Sequence, residues 1–328
     1  MLAEAAATRA TVVLCAHVQP DADALGSTLA LADALRRCGA RVLATFPDPF
    51  VLPASLSWLP GAAALVPSTE VPSSPEVFVS LDAASPGRLG ELAALLDRAG
   101  TSVVLDHHAS NPGFGDVRVV DPGAPATVTL VAGLLDELGV TLDADLATCL
   151  YAGLAADTGS FRFGSTRPAT HELAARLLAT GIDHAGISRR LFDTAPFGWL
   201  RLLSQVTGRA QLERSVGAGL VWTWSSTAEA AEHGLPAEQL EALVDVVRST
   251  EEADVACVLK GQDDGTWSVS LRSRGATDLS RVAMALGGGG HRAAAGFTSH
   301  ADREGTMAAI RAELCTSPSS RTAVRPGG

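Results

Sequence analysis

The sequence predicts an α/β protein: a doubly wound parallel-sheet domain followed by a smaller α/β domain with a mixed sheet. Three observations carry that expectation. At 328 residues the chain exceeds what one hydrophobic core usually fills, so two domains are expected. Its first half alternates short apolar runs with segments of helical periodicity, the pattern of βαβ units. Its second half changes to paired strand-like runs around turn signals. A composition of 47% apolar and 19% charged residues suits a well-buried chain and excludes a disordered one.

Taken in order, the apolar runs at 11–16, 41–46, 77–81 and 102–105 read as buried parallel strands. Helices are expected over 24–37, 88–99, 126–138 and 144–154, then over 171–180 and 184–208, with Gly181 as a C-cap. No strand-like run occurs between 181 and 206, which places the domain connection there. Runs at 210–215 and 219–224 read as a hairpin around 216–218, followed by a helix over 236–247. Runs at 255–260 and 267–272 pair across the turn Asp263-Asp264-Gly265. A helix over 279–286 leads into four glycines at 287–290 and then an apolar strand. The last helix spans 303–315, before a Ser/Pro/Gly tail. The expected boundaries are a first domain at 1–185, a helical connector at 186–208, a second domain at 209–318 and a disordered tail at 319–328.

Charge and composition narrow the partners. Net charge is −11 and Lys260 is the sole lysine, so no basic footprint for duplex nucleic acid exists. Cys15, Cys38, Cys149, Cys257 and Cys315 are far apart, which argues against a disulfide framework and excludes a zinc knuckle. No window of about 20 apolar residues is present, and the start lacks a basic segment before its apolar residues. No membrane association and a cytoplasmic location are therefore expected.

Four segments carry chemistry. In AHVQPDADALGS (16–27), His17, Asp21 and Asp23 follow the first strand, at the sheet edge where doubly wound folds bind ligands. One imidazole and two carboxylates within seven residues suit a divalent metal. The alternative is an N-capping loop, with Asp23 as the cap and Asp21 solvated. In SLDAAS (80–85), Asp82 ends the third strand, where a single aspartate is also a common helix cap. In LDHHASN (105–111), adjacent histidines follow Asp106 at another strand end. One of them can ligate a metal while the other reaches a substrate oxygen, and Asp106 can fix an imidazole tautomer. In YAGLAADTGSFRF (151–163), Asp157 precedes a sharp Thr158-Gly159 turn, and Arg162 lies close enough to meet an anion. Asp21, Asp23, Asp82 and Asp157 carry four negative charges, which two divalent cations would neutralise. The four glycines at 287–290 let backbone N–H groups approach a phosphate closely; a flexible linker is the alternative.

The set H-x-x-x-D-x-D, a lone strand-end Asp, D-H-H and D-T-G-S-F resembles the DHH phosphoesterase superfamily. SLRSRG (270–275) and GGGGHRAAAGF (287–297) look like the DHH-associated substrate domain of its first subfamily. The two-domain length looks most like bacterial nanoRNA-degrading oligoribonucleases that also dephosphorylate 3′-phosphoadenosine 5′-phosphate (pAp). The resemblance implies that His17, Asp21 and Asp82 hold one metal, and that Asp23, Asp82, His107 and Asp157 hold another. It makes His108 the group facing the scissile phosphate. Arg272, Arg274, Gly289, Gly290 and His291 would grip the remaining phosphate or sugar, with Ser110, Asn111 and Arg162 beside the site. Gln19 stands where the family often has Asn, and Ala156 where it often has Thr; neither removes a ligand.

The expected chemistry is two-metal hydrolysis of a phosphoester in an interdomain cleft, with Mn²⁺ and with Mg²⁺ or Co²⁺ as substitutes. Only 5% of residues are aromatic, too few for a stacking track along a long single strand, so substrates should be short RNA oligonucleotides, dinucleotides and pAp. The resemblance also points to a homodimer. A cyclic-di-AMP or linear-dinucleotide phosphodiesterase would use the same machinery. SLRSRG and GGGGH argue against a family II pyrophosphatase, and the lack of an added nucleic-acid-binding domain disfavours a long RecJ-type exonuclease. A non-catalytic nucleotide-binding module would be expected to lose a metal ligand, and all six are present.

Overall fold

Short β-branched runs become strands and the alanine- and leucine-rich segments between them become helices in the computed structural model, which describes residues 1–316. Helix α1 (Leu2–Ala7) precedes strand β1 (Thr11–Cys15), helix α2 (Ala22–Arg37) and strand β2 (Arg41–Thr45). Three short 3-10 turns lead to β3 (Val77–Leu81); a 3-10 segment, Pro86–Ala94, and α3 (Leu95–Arg98) lead to β4 (Thr101–Asp106). Then come β5 (Val117–Val120), α4 (Thr127–Glu137), α5 (Ala144–Asp157), α6 (Pro168–Leu178) and α7 (His184–Phe192). The expected single helix over 88–99 is broken because Gly90 sits at φ +51, outside helical geometry. The edge strand β5 was not expected; its burial is slight, so it lacks the apolar run that marks the others.

The chain forms two compact units, Met1–Thr194 and Ala195–Gly328. In the first, five parallel strands are ordered β2-β1-β3-β4-β5. Alternate residues serve opposite faces. Val12, Leu14, Val79 and Leu105 pack under α2, α4 and α5, while Val13, Cys15 and Phe78 pack against Leu89, Leu92 and Leu95. The strand order reverses between β1 and β3, and such a switch point opens a crevice at the carboxyl ends of the strands. Helices α2 and α5 meet almost backbone to backbone. A Cβ on Gly26 would lie 2.4 Å from Cys149 O, and one on Gly153 would lie 2.9 Å from Asp23 Cα.

The second unit contains α8 (Phe197–Gly208), β6 (Gln211–Glu213), β7 (Leu220–Ser226), α9 (Thr227–Glu232), α10 (Leu243–Val247), β8 (Val255–Gly261) and β9 (Trp267–Ser273). It continues with α11 (Leu279–Ala285), β10 (Gly289–Gly290), β11 (Ala294–Ser299) and α12 (Arg303–Thr316). Its sheet runs β10-β11-β9-β8-β7-β6 and is mixed, with β7 parallel to β8 and the other pairs antiparallel. Leu220, Cys257 and Leu271 face Val282 and Ile310 on one side; Val221, Ala256 and Val258 face Leu202 and Leu243 on the other. The expected helix over 184–208 is two helices, because Pro196 lies between α7 and α8 as the N-cap of the latter. The expected tail at 319–328, and the last two residues assigned to the second domain, lie outside the described residues.

Candidate metal centre

Four segments at one edge of the parallel sheet supply the acidic and imidazole groups. Asp21 is the N-cap of α2, its Oδ1 accepting from Asp23 N and Ala24 N at 3.0 Å each. Asp23 is fully buried and acts elsewhere. Its Oδ2 accepts from Thr127 N at 2.6 Å and its Oδ1 from Val128 N at 2.9 Å. The N-cap of α4 is Ala126, which has no capping side chain, so Asp23 satisfies that helix end from α2. Thr127 also donates from Oγ1 to Asp82 Oδ1 at 2.7 Å. One helix N-terminus thus holds two carboxylates, and its positive end favours their charge.

An acceptor at Nδ1 favours the tautomer of His107 that leaves the Nε2 lone pair to a cation, whereas His17 Nδ1 lies between a backbone oxygen and the Arg88 guanidinium. His17 Nδ1 lies 2.8 Å from Val18 O, and His107 Nδ1 lies 3.3 Å from Ala124 O. Their Nε2 atoms are turned to the carboxylates. His17 Nε2 is 3.7 Å from Asp21 Oδ2 and 3.7 Å from Asp82 Oδ2. His107 Nε2 is 3.8 Å from Asp23 Oδ2, 3.6 Å from Asp82 Oδ1 and 3.1 Å from Asp157 Oδ2. Atoms that share one cation at about 2.0–2.2 Å stand roughly 3–4 Å apart, so this donor set fits a divalent metal. His17, Asp21 and Asp82 form one group within 4.8 Å, and Asp23, Asp82 and His107 form a second; Asp82 belongs to both.

The electrostatics agree with that fit. Burial, and then the charges of Asp23, Asp21 and Asp157, raise the Asp82 carboxyl well above the ordinary carboxylate range. Burial and the Asp157 charge push Asp23 up to about 8. Burial alone would lower His107, but the Asp157 bond and the Asp23 charge outweigh it and push it up to about 9. Carboxylates crowded in this way accept either protons or cations, and the imidazoles beside them select metals that take both nitrogen and oxygen.

His108 is placed differently from His107. Its Nδ1 lies 2.7 Å from Asp106 Oδ1, and Asn111 Nδ2 donates to Asp106 Oδ2 at 2.6 Å. The Asn111 amide also donates to Ala83 O at 3.3 Å and accepts from Gly113 N at 2.8 Å. Asn111 therefore braces Asp106, which in turn orients His108. Ser110 lies exposed on the turn, and Arg162 Nε donates to Gly159 O at 2.6 Å.

Backbone strain marks the same place. Among the described residues, five other than glycine have positive φ, and four of them are Gln19, Asp82, Ser160 and Phe161. Two contributors were missed in the sequence. Thr127 opens a helix with no acidic or hydroxyl N-cap, a signal that its N–H groups need an outside acceptor. Arg88 places a guanidinium nitrogen 2.9 Å from His17 Nδ1, while its carbonyl accepts from Val18 N. No sequence spacing ties Arg88 to His17.

In the second unit, Arg272 lies on β9, where its Nη1 donates to Leu271 O and its Nε is 3.6 Å from Asp245. Arg274 follows β9 and donates to Thr250 O at 3.0 Å. The four glycines are not a slack linker. Gly289 and Gly290 pair with Gly296 and Ala295 of β11, and His291 closes that hairpin through a 2.7 Å bond to Ala294 O. A Cβ on Gly288 would meet Gly296 O at 2.1 Å, and one on Gly290 would meet Ala294 O at 2.6 Å. A Cβ on Gly287 or Gly289 would instead meet nothing within 4 Å.

A doubly wound sheet with such an Asp/His centre, and an oriented histidine beside it, defines a metal-dependent phosphoester hydrolase. The signature of the DHH family, N-terminal domain, matches residues 11–154, and that of the DHHA1 domain matches 224–315. The chain belongs to the DHH family of phosphoesterases. It is 35% identical over 292 residues to a bifunctional oligoribonuclease and PAP phosphatase of Thermus thermophilus, spanning 89% of this chain and 85% of that protein. A protein of the same description from Bacillus subtilis is 25% identical over 292 residues, 87% of this chain and 88% of its own. The crystal structure of an exopolyphosphatase-related protein from Bacteroides fragilis has the same fold, with a TM-score of 0.83 at 24% identity over 93% of this chain and 92% of that one. Among the described residues, no helix is long and apolar enough to cross a membrane.

Proposed function

We propose that this chain hydrolyses short oligoribonucleotides to mononucleotides and pAp to AMP. The observation that carries the reading is the convergence of His17, Asp21, Asp23, Asp82, His107 and Asp157 beside an oriented His108. The activities named for the Thermus thermophilus and Bacillus subtilis relatives support the substrate class. Two divalent ions, Mn²⁺ foremost, would be held by His17, Asp21 and Asp82 and by Asp23, Asp82, His107 and Asp157, with Asp82 common to both. Bound there, such ions supply a Lewis acid for the phosphoryl oxygens and a water that ionises near neutral pH.

The chain's own groups do the rest. Asp106 takes the Nδ1 proton of His108 as a hydrogen bond, which leaves Nε2 to exchange a proton with the phosphoryl group or the leaving ribose oxygen. Arg272, Arg274 and His291 bind the phosphate that is not cleaved, with Gly289 and Gly290 offering backbone. Remote contacts of this kind supply positioning that is realised at the reacting phosphorus. The net charge of −11 gives no track for long nucleic acid, so the substrate is short.

The test is turnover of pAp, pApA, cyclic-di-AMP and a 24-mer RNA by the purified protein with Mn²⁺. Turnover of pAp and pApA well above that of the 24-mer is expected. Equal rates on the 24-mer and pApA would refute the short-substrate reading, and preference for cyclic-di-AMP would replace it with a cyclic-dinucleotide phosphodiesterase.

A further inference from the structure

The loop that follows β9 has an unusually complete set of hydrogen bonds, and nearly all of them end on one residue. Arg274 N donates to the main-chain oxygen of Asp254 at 2.9 Å. Ala276 N donates to Asp254 Oδ1 at 3.0 Å, and Thr277 N to Asp254 Oδ2 at 2.9 Å. Ser273 Oγ donates to the same Oδ2 at 3.1 Å, and Gly275 N closes onto Ser273 Oγ at 2.9 Å. The four backbone N–H groups from 274 to 277 are thereby accounted for, three by Asp254 and the fourth by the serine that Asp254 holds.

The same loop is stitched to the segment after His291. Ser273 N donates to Ala293 O and Leu279 N to Arg292 O, both at 2.9 Å. Arg272 stands at the start of this loop, Arg274 within it, and His291 beside the segment it is tied to. A loop carrying a residue at φ +120, Gly275, has no regular ladder to fix it, so its conformation depends on side-chain acceptors. Asp254 precedes β8, whose first residue pairs with Ser273. It is therefore anchored to the sheet on one side and to the loop on the other.

We infer that Asp254 is a positioning residue for the phosphate-binding group Arg272, Arg274 and His291, setting the loop that presents them. The inference rests on the proposed role of those three residues. Asp254 touches no substrate. Its carboxylate is occupied by loop donors, which also keeps its negative charge from meeting an incoming phosphate.

The test compares kcat/KM on pAp with kcat/KM on bis-p-nitrophenyl phosphate, an ester with no second phosphate, in the full chain with Mn²⁺. Asp254→Ala should lower the pAp-to-ester ratio about tenfold or more, in kcat as well as KM, because remote contacts serve positioning at the reacting phosphorus and an ångström of misplacement can cost up to about a hundredfold. Asp254→Asn keeps one acceptor oxygen and should recover part of the ratio. The double variant Asp254→Ala/Arg274→Ala should lose little more than the worse single variant, since both changes remove one function.

Asp264→Ala serves as the matched control. Asp264 caps the β8–β9 turn through Thr266 N and Oγ1 at 2.9 and 2.7 Å, so its loss loosens the same unit without touching the grip. An equal fall in the ratio for Asp264→Ala would overturn the inference in favour of general stability. So would an unchanged ratio in Asp254→Ala when Arg274→Ala lowers it. If Arg272→Ala and Arg274→Ala both leave the ratio intact, the phosphate grip itself fails, and the inference fails with it.

Discussion

Replacing Asn111 by Ala separates two roles for one residue. The sequence suggests a substrate contact beside the site, whereas the structure commits its amide to Asp106 at 2.6 Å and to Ala83 O, and its oxygen to Gly113 N. Asp106 is fully buried, and the bonds from His108 and Asn111 outweigh its burial to hold it below the usual carboxylate range. A hydrogen bond to a buried charge contributes about 1.5–3 kcal/mol. If that brace is needed most when His108 carries the developing proton, its loss should slow kcat by roughly tenfold to a hundredfold. Steady-state kinetics on pAp and bis-p-nitrophenyl phosphate check this. The loss should be similar on both esters, with KM for pAp within about twofold, since orientation of His108 serves any phosphoester. A raised KM for pAp with kcat intact would refute the brace and restore Asn111 to the substrate.

Further outcomes follow from the same geometry. Mn²⁺ at a hundred times its Kd should stabilise the protein by about 2.7 kcal/mol per site, read as a rise in Tm, and Asp82→Ala should abolish activity and most of that rise; turnover retained by Asp82→Ala would remove it from the centre. His107→Ala should lower bound metal measured by elemental analysis, whereas His108→Ala should keep the metal and lose about 10²–10⁴ in kcat. Equal metal loss in both would show that the two histidines are not divided in role. Gly153→Ala places a methyl 2.9 Å from Asp23 Cα and 2.7 Å from Val128 Cγ1. Overpacking of about 1–3 kcal/mol against a helix gain of about 1 leaves a net loss of roughly 0–2 kcal/mol in urea unfolding. Mn²⁺ affinity should weaken as Asp23 shifts; unaltered affinity would show that this close approach does not set the carboxylate.

The parts of the fold that were legible are those with one strong local signal. β1, β3 and β4 are buried, mostly apolar runs that lead into a charged motif, so both the strand and the site at its end could be read from spacing. β5 escaped because an edge strand with exposed Val117 and Val119 shows no buried run. The break at Gly90 escaped because helical periodicity continues across it while the backbone does not. The ligand residues were legible as types, but their partners were not. Asp21, not Asp23, caps α2, and Asp23 reaches a helix that begins 104 residues later in the chain. The glycines at 287–290 were legible as a close approach, but the nearest neighbour is the chain's own β11. Asp254 left no sequence signal, since an aspartate before a strand has no spacing that names the loop it holds.

The arrangement around α4 explains why so many acids can be gathered without unfolding the domain. Asp23 and Asp82 are both buried; Asp23 raises the affinity of Asp82 for a proton, and Asp157 raises that of both. The end of α4 offsets part of that repulsion with two N–H groups on Asp23 and a hydroxyl on Asp82, all from Thr127 and Val128. These donors are fixed by the fold and cannot follow a ligand, so they hold the oxygens in place whether or not a cation is present. Strain at Gln19 and Asp82 turns the chain sharply at the strand ends, and Gly153 lets α5 close over Asp23 so that Asp157 arrives one turn later. The remaining negative charge is more than a helix end can offset. It is the excess that makes cations the natural complement of this site, and that makes the fold prepare their ligands in advance.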